Sequence, residues 1–329
     1  MKKPDYIVVA GASAGGVQAF CQFVADLQIN AQLACFFLQH SSREGFDELL
    51  LKRIQRSTAI PCKITEDKIP VEGGHIYIAR PDYHLIIKKD NTIKLAKGAY
   101  ENRWRPSIDV LFRSAAIAYE QNTIGVIFTG LLNDGTSGMM SVQECGGVTI
   151  VQDPNEAEFP EMPNSVLSTI KADYCVSIQK MPGIINKIVT GPKRKKVKIP
   201  PSIITEAAIS EKAATGIKVV SQIGSQSPFT CPDCGGALWE ITDKGNHKYR
   251  CHTGHAYSAS DLSLKQSEEQ EAALWVAIRT MQERLVLLEK MKNDGSKKGM
   301  ETLIVLHNNR IADLQNHIQK IKDILLSNY

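Results

Sequence analysis

The sequence predicts an α/β protein built on a doubly wound, mostly parallel sheet, followed by a small cysteine-bearing module and an α-helical hairpin. Three observations carry this expectation. From Tyr6 to about Val189, short β-branched apolar runs alternate with amphipathic helical patterns, as in a parallel sheet covered on both faces. Two short cysteine turns then occur, Cys231-Pro232-Asp233-Cys234 and Cys251-His252-Thr253-Gly254-His255. Finally, from Leu274 onward apolar residues recur at steps of three and four.

The 329-residue chain exceeds the usual size of one domain, so two or three units are expected, the largest with a core of its own. A hydrophobic content of 43% and a charged content of 22% are those of an ordinary globular protein. The net charge of +4 is small for this length and argues neither for nor against nucleic acid. No apolar run approaches the ~18 residues needed to span a bilayer. The basic start Met1-Lys2-Lys3 precedes only a five-residue apolar run, Tyr6 to Ala10, with Asp5 between, so the segment reads as a first strand and not a signal peptide. A cytoplasmic protein without membrane insertion is expected. Of eight cysteines, Cys21, Cys35, Cys62, Cys145 and Cys175 are scattered among apolar neighbours, as reduced buried thiols would be, while Cys231, Cys234 and Cys251 cluster, which points to a metal.

Strands are expected at Tyr6–Ala10, Leu33–Gln39, His75–Ala79, Thr123–Phe128 and Val148–Val151, and helices at Gly15–Leu27, Phe46–Gln55, Ser107–Glu120, Gly135–Glu144 and Asn164–Ile170. Pro61 to Leu95 carries short strand signals and predicts a hairpin insertion or an extension of the sheet. The proline-framed basic run Gly191-Pro192-Lys193-Arg194-Lys195-Lys196-Val197-Lys198-Ile199-Pro200-Pro201 reads as a solvated linker crossed by few contacts, in preference to a nucleic-acid address. The resulting division is 1–190 for the α/β domain, 191–228 for the linker, 229–257 for the cysteine module and 258–329 for the hairpin. In the hairpin, Leu274, Ile278, Met281, Leu285 and Leu288 form one seam, Asn293-Asp294-Gly295-Ser296 interrupts it, and Ile304, His307, Ile311, Leu314, Ile318, Ile321 and Leu325 form the other. Packing of the hairpin on itself and dimerisation through it are both open.

Ser13 is the most informative residue. It ends the first apolar run in Gly11-Ala12-Ser13-Ala14-Gly15-Gly16, just before a helical pattern, where a strand-to-helix turn holds a hydroxyl at the carboxyl edge of a sheet. His40 follows the second strand and Asp134 opens the helix after the Thr123–Phe128 strand, so all three reach the same edge, where ligands bind in such folds. Histidine can take the serine proton and a carboxylate can fix its tautomer. The chain order Ser, His, Asp excludes the α/β-hydrolase order. Dinucleotide binding is disfavoured, because the turn lacks the G-x-G spacing and Gln39-His40 stands where a ribose-binding acid would.

The segments Gly11–Gly16, Gln39-His40, Tyr77-Ile78-Ala79-Arg80-Pro81-Asp82, Arg105-Pro106-Ser107-Ile108-Asp109-Val110-Leu111-Phe112, Thr129-Gly130-Leu131-Leu132-Asn133-Asp134-Gly135, Gly146–Asp153 and Met162-Pro163 together resemble the catalytic domain of CheB-type protein-glutamate methylesterases, over roughly the first 190 residues. The resemblance implies that family's catalytic fold, Ser13 as nucleophile, His40 as general base and acid, and Asp134 as the orienting carboxylate. It implies hydrolysis of glutamate methyl esters on a methylated chemoreceptor-type protein, with related glutamine deamidation, and no cofactor for catalysis. Backbone N–H groups of Ala14, Leu131 and Leu132 are the candidate oxyanion donors. Three positions depart from the family pattern: Ala14 replaces a threonine, Leu131-Leu132 a Met-Gly pair, and Glu161 a glycine. With Ser13 so near the start, the receiver domain of the best-known members is not expected.

The Cys231/Cys234 pair and the Cys251/His255 pair have the spacing of two zinc knuckles, and Cys231, Cys234, Cys251 and His255 are the expected ligands of a structural Zn2+, with His252 as the substitute fourth. Phe229–Gly236 and Gly254–Ser258 extend the resemblance to methylesterase-like proteins with such a tail. No basic or aromatic excess supports DNA binding. Two function classes follow. The first is an esterase acting on methylated receptor glutamates; the second is a signalling adaptor with residual esterase activity whose ribbon and hairpin bind a partner.

Overall fold

The structure is a computed structural model and describes residues 3–41, 45–212, 216–243, 246–297 and 299–327. It divides into two compact units, residues 1–261 and 262–329.

In the first unit a seven-stranded sheet is parallel throughout, in the order β3-β4-β2-β1-β7-β8-β9. The strands are β1 (Tyr6–Ala12), β2 (Leu33–Gln39), β3 (Cys62–Ile64), β4 (Ile76–Ile78), β7 (Thr123–Ile127), β8 (Val148–Gln152) and β9 (Tyr174–Val176). The central strand β1 is buried along its whole length, and its pleat sends alternate side chains into two cores. Tyr6, Val8 and Ala10 pack with Phe20 and Phe23 of α1 (Gly16–Ala25), Leu50 and Ile54 of α2 (Phe46–Ser57) and Met181 and Ile185 of α6 (Met181–Thr190). Ile7 and Val9 pack on the other face with Leu111 and Phe112 of α3 (Ile108–Tyr119), Met139 and Val142 of α4 (Thr136–Glu144), and Met162 and Val166 of α5 (Glu161–Thr169). Two-sided burial is why these strands read as unbroken apolar runs. The 61–95 stretch contains both expected features: β3 and β4 extend the sheet, and β5 (His84–Ile87) pairs with β6 (Ile93–Ala96) as a hairpin.

The basic segment is not a free linker. Arg194 pairs with Asp173 at 2.7 Å and donates to the Gly147 carbonyl at 2.6 Å, and Lys196 pairs with Glu120 at 2.8 Å. After it α7 (Pro201–Glu211) forms, with proline at its start where no N–H is needed. Ile203 of α7 joins the α3-side core, and Glu206 meets Arg113 of α3 at 3.0 Å. A short α8 (Ile217–Val220) leads into an antiparallel sheet of β10 (Ser225–Thr230), β11 (Ala237–Asp243), β12 (Asn246–Cys251) and β13 (Ala256–Ser258). The expectation of few contacts beyond Gly191 therefore fails: α7 and this small sheet belong to the same compact unit as the parallel sheet. The physical reason is a buried charge cluster. Arg250 of β12 pairs with Glu101 at 2.8 Å, and Lys248 with Glu206 at 3.1 Å. Taken one at a time, such residues look like solvated surface; inside, the two carboxylates are shared among the three cations.

The second unit is the helical hairpin, the bulk of α9 (Ala259–Lys297) and α10 (Glu301–Ser327). Ile278, Ile318 and Leu325 form its buried seam with Leu274, Met281, Leu285 and Ile321 against them. Asn293–Ser296 does not interrupt the first helix, which runs on to Lys297. A single helical glycine costs only about 1 kcal/mol. The reversal comes later, where Gly299 takes a positive φ of 67° and the Met300 N–H returns to the Gly295 carbonyl. Among the described residues, no helix is long and apolar enough to cross a membrane.

Candidate active site

The parallel register of β1 and β2 aligns Ala12 with Gln39, so Ser13 and His40 leave the sheet side by side, tied by the His40 N–H to the Ala12 carbonyl at 3.1 Å. On the other side of β1, Ser13 N–H donates to the Thr129 carbonyl beyond β7, at 3.1 Å. Gln39 Nε2 donates to the Ser13 carbonyl at 2.6 Å, fixing the turn from within. Gly15, at φ 75°, then starts α1 in a conformation that other residues enter only at a cost. Gly130 permits a close approach: a Cβ there would collide with Met162 Sδ and lie 2.9 Å from Ser13 Cβ. Ser13 and His40 line one cavity of about 900 Å3 that runs between α1 and α2 past Val17, Cys21, Leu49 and Arg53.

Asp134 reaches His40 from the loop after β7. Its Oδ2 accepts from His40 Nε2 at 2.8 Å, and both side chains are buried. The same carboxylate accepts from Ser107 Oγ at 2.8 Å, Asn102 Nδ2 at 3.0 Å, and the Ile108 and Asp109 N–H groups at 2.7 and 3.3 Å, which open α3. Burial by itself would raise this carboxyl, but the hydrogen bond and charge of His40, with Asn102 and the Ile108 N–H, hold it below its ordinary value. With Nε2 committed to Asp134, His40 Nδ1 is the atom left for proton transfer. It is buried and has no partner among the described residues. Trp104 lies flat on the same ring, centroids 4.2 Å apart and planes 8° apart.

Of the candidate oxyanion donors, Leu132 is a correction. Its N–H is taken by Glu161 Oε2 at 2.9 Å, so the glutamate that replaces a glycine occupies one of the expected donors. The Ala14 and Leu131 N–H groups have no acceptor among the described residues. Asn102, Trp104, Ser107, Asp109 and Gln39 had no role in the sequence-based site. Their only signal was that Ser107 and Asp109 lie in the Arg105–Phe112 segment and Gln39 precedes His40.

The second predicted cluster also assembles. One ligand atom each from Cys231, Cys234, Cys251 and His255 lies within 4.8 Å of the others, whereas His252 stands outside the set. The first knuckle is closed by Cys231 N–H to the Gly236 carbonyl at 2.7 Å, the second by Cys251 N–H to the His255 carbonyl at 3.0 Å. All eight cysteines are free of disulfides.

Fold and site define a class: an open parallel α/β protein presenting a serine and a histidine–carboxylate pair at the carboxyl edge of its sheet. The chain belongs to the CheB methylesterase family, which it matches over residues 8–185. It is 37% identical over 174 residues, 53% of its own length and 90% of the other, to a Leptospira interrogans protein provisionally named protein-glutamate methylesterase/protein-glutamine glutaminase. It is 33% identical over 186 residues to the protein-glutamate methylesterase/protein-glutamine glutaminase of Thermotoga maritima, covering 56% of this chain and 54% of that one. The crystal structure of the Thermotoga maritima CheB methylesterase catalytic domain superposes with a TM-score of 0.53 at 33% identity, covering 55% of this chain and 96% of that chain.

Proposed function

We infer that this chain is a protein-glutamate methylesterase that hydrolyses γ-methyl esters on methylated chemoreceptor-type proteins, with glutamine deamidation as a related activity. Family membership supports the reaction class, and the observation that carries the mechanism is the buried His40–Asp134 pair, with His40 leaving the sheet beside Ser13. In this reading His40 Nδ1 takes the Ser13 proton as Oγ attacks the ester carbonyl, and Asp134 stabilises the resulting imidazolium through Nε2. The oxyanion is met by the Ala14 and Leu131 N–H groups, each such donor being worth roughly 3 kcal/mol. The proton passes from Nδ1 to the departing methoxide, methanol leaves, and water activated by the same nitrogen releases the glutamate carboxylate from Ser13. A glutamine side chain follows the same path with ammonia as leaving group.

Reduced thiols and the lack of a spanning helix among the described residues support a cytoplasmic site of action. Pairing of two copies through the hairpin belongs to the same reading, since Leu287, Val305 and Leu326 stay largely exposed there. The deciding experiment incubates the protein with membranes carrying methyl-labelled receptors and measures released methanol. Release by wild type but not by Ser13→Ala is the expected result. Equal release by both would remove Ser13 as nucleophile, and labelling by a fluorophosphonate probe gives an independent readout.

A further inference from the structure

We propose that Cys231, Cys234, Cys251 and His255 bind one Zn2+, and that this metal holds the Tyr100–Trp104 turn in place against His40 and Asp134, so that the esterase site is fully assembled only in the metal-bound chain. The proposal rests on the esterase reading of Ser13 for its catalytic consequence, but not for the metal site itself.

Three of the six ligand edges have the length a closed tetrahedral centre needs, and all four ligand atoms lie within 4.8 Å of one another. Cys234 Sγ and Cys251 Sγ are 3.8 Å apart, and His255 Nδ1 is 3.6 Å from Cys231 Sγ and 3.5 Å from Cys251 Sγ. Zinc–sulfur bonds of ~2.3 Å and zinc–nitrogen bonds of ~2.0 Å at tetrahedral angles require edges of roughly 3.8 and 3.5 Å. Three thiolates and an imidazole select zinc over the hard cations. Thr253 Oγ1 lies 2.8 Å from Cys251 Sγ and 3.2 Å from Cys234 Sγ, where its hydroxyl can support the sulfur charge from outside the ligand set.

What makes this centre more than a fastening is the residue next to each ligand of the second knuckle. Ala256 follows His255, and it makes a parallel bridge to Glu101: its N–H donates to the Tyr100 carbonyl at 3.2 Å, and its carbonyl accepts from the Asn102 N–H at 2.8 Å. Arg250 precedes Cys251, and its guanidinium grips both Glu101 oxygens at 2.8 and 3.1 Å and the Gly254 carbonyl at 3.0 Å. The turn so held is unusual. Glu101 and Trp104 exchange backbone hydrogen bonds at 3.3 and 3.0 Å around Asn102 and Arg103, whose φ angles of 49° and 69° lie in the left-handed region. Two such residues in succession are costly and persist only where surroundings over-determine them.

This turn carries two positioning residues. Asn102 Nδ2 donates to Asp134 at 3.0 Å and to Asp109 at 2.7 Å, and Trp104 covers the His40 ring. The small sheet has a core of few side chains, so the metal supplies much of its folding free energy. Without the metal, Arg250 and Ala256 are no longer held, the turn loses its outer clamps, and Asn102 and Trp104 lose their register with the histidine–carboxylate pair.

The test uses the full chain. Zinc is measured in protein purified without added metal, then removed with a chelator under reducing conditions and restored. At each stage fluorophosphonate labelling of Ser13, turnover of a small activated ester, and amide hydrogen exchange are read together. One zinc per chain is expected, with at least a tenfold loss of turnover on removal, faster exchange confined to 100–104 and 229–258, and recovery on re-addition. Asn102→Ala should keep its zinc and still lose about tenfold in turnover, which separates the turn from the metal. A chain that carries no zinc and takes none up overturns the proposal. So does unchanged turnover after complete removal, or loss of protection across β1, β2 and β7 as well, since the effect would then not run through the turn. If the metal-loaded chain neither labels nor turns over ester, the esterase reading fails, while metal content and exchange at 100–104 still decide the present one.

Discussion

Asp109 and Asp134 each accept the free N–H groups of the helix that the other begins. Asp134, immediately before α4, takes the Ile108 and Asp109 N–H groups at the start of α3, while Asp109 Oδ1 takes the Gly135 and Gly138 N–H groups at the start of α4, at 3.0 and 2.6 Å. Each carboxylate therefore sits at the positive end of a helix. Asn102 bridges the pair, and the two are driven apart in proton affinity. Burial and the Asp134 charge raise the Asp109 carboxyl, whereas His40 and its hydrogen-bond donors outweigh burial and lower Asp134. Of the two, Asp134 is the one whose carboxylate form is favoured beside His40, as the proposed role requires.

Replacement of the triad members should therefore be graded. Ser13→Ala and His40→Ala are expected to lower kcat by about 10⁶-fold, Asp134→Asn by about 10⁴-fold, since the histidine persists with a poorer partner. Steady-state rates on a small activated ester read this, and an Asp134→Asn rate near wild type would take Asp134 out of the triad.

Gly130 tests the fit around Ser13. In Gly130→Ala the new methyl collides with Met162 Sδ and lies 2.9 Å from Ser13 Cβ, so the methionine and the serine must both shift. A displacement near 1 Å costs on the order of 10²-fold in rate. The expected signature is a loss of kcat much larger than the loss of stability in urea; a variant with wild-type kcat would show that the loop yields and the serine does not.

Glu101→Gln leaves Arg250 buried against a neutral partner and Arg113 with Glu206 as its remaining carboxylate. Loss of one member of a buried ion cluster destabilises by about 3–5 kcal/mol. Chemical denaturation should show this, with the C-terminal sheet losing amide protection first. Less than 1 kcal/mol would mean that water reaches the cluster.

Stability should fall on the acid side for a definite reason. Burial alone would raise Glu206, but Lys248, Arg113 and Arg250 hold it at about 2, and the charges of Arg250 and Arg113 likewise depress Glu101 against its burial. A carboxyl depressed by folding contributes stability that is fully present above its ordinary value of 4.5 and is lost as the pH falls toward about 2. Asp109, raised by folding, acts in the opposite sense: its contribution is present below 3.8 and is lost as the pH climbs above it. The urea midpoint should thus drop steeply below about pH 4.5, and Glu206→Gln should flatten that limb.

Truncation separates the units. A chain ending at Asp261 should fold and keep its intrinsic esterase activity, because the two units are compact in themselves. A chain ending at Gly191 removes Glu206, Lys248 and Arg250 and strands Arg113 with Glu101. It should be markedly less stable and largely inactive, as thermal melts and ester turnover will show; full activity after that cut would mean that the C-terminal sheet is dispensable to the site.

Much of this was legible in the chain itself. The strands ending at Ala12 and Gln39 and the helices around them follow from continuous apolar runs and helical periodicity, because two-sided burial leaves that trace directly. Ser13, His40 and Asp134 could be found because each terminates or follows such a run. The edge strand Tyr174–Val176 escaped because it is short and half exposed, with no alternation to read. Asn102 and Trp104 escaped because they lie in an aperiodic turn, where nothing local signals a neighbour at His40.

Local pattern and spacing in the chain were enough for the parallel sheet, the candidate nucleophile and its partners, and the cluster of Cys231, Cys234, Cys251 and His255. That the segment after Gly191 is no linker emerged from the folded chain alone. Glu101, Arg113, Glu206, Lys248 and Arg250 are scattered over 150 positions and each reads alone as solvated charge. A charge can be buried only when opposite charges meet it, and which ones meet is a property of the folded chain, not of any segment.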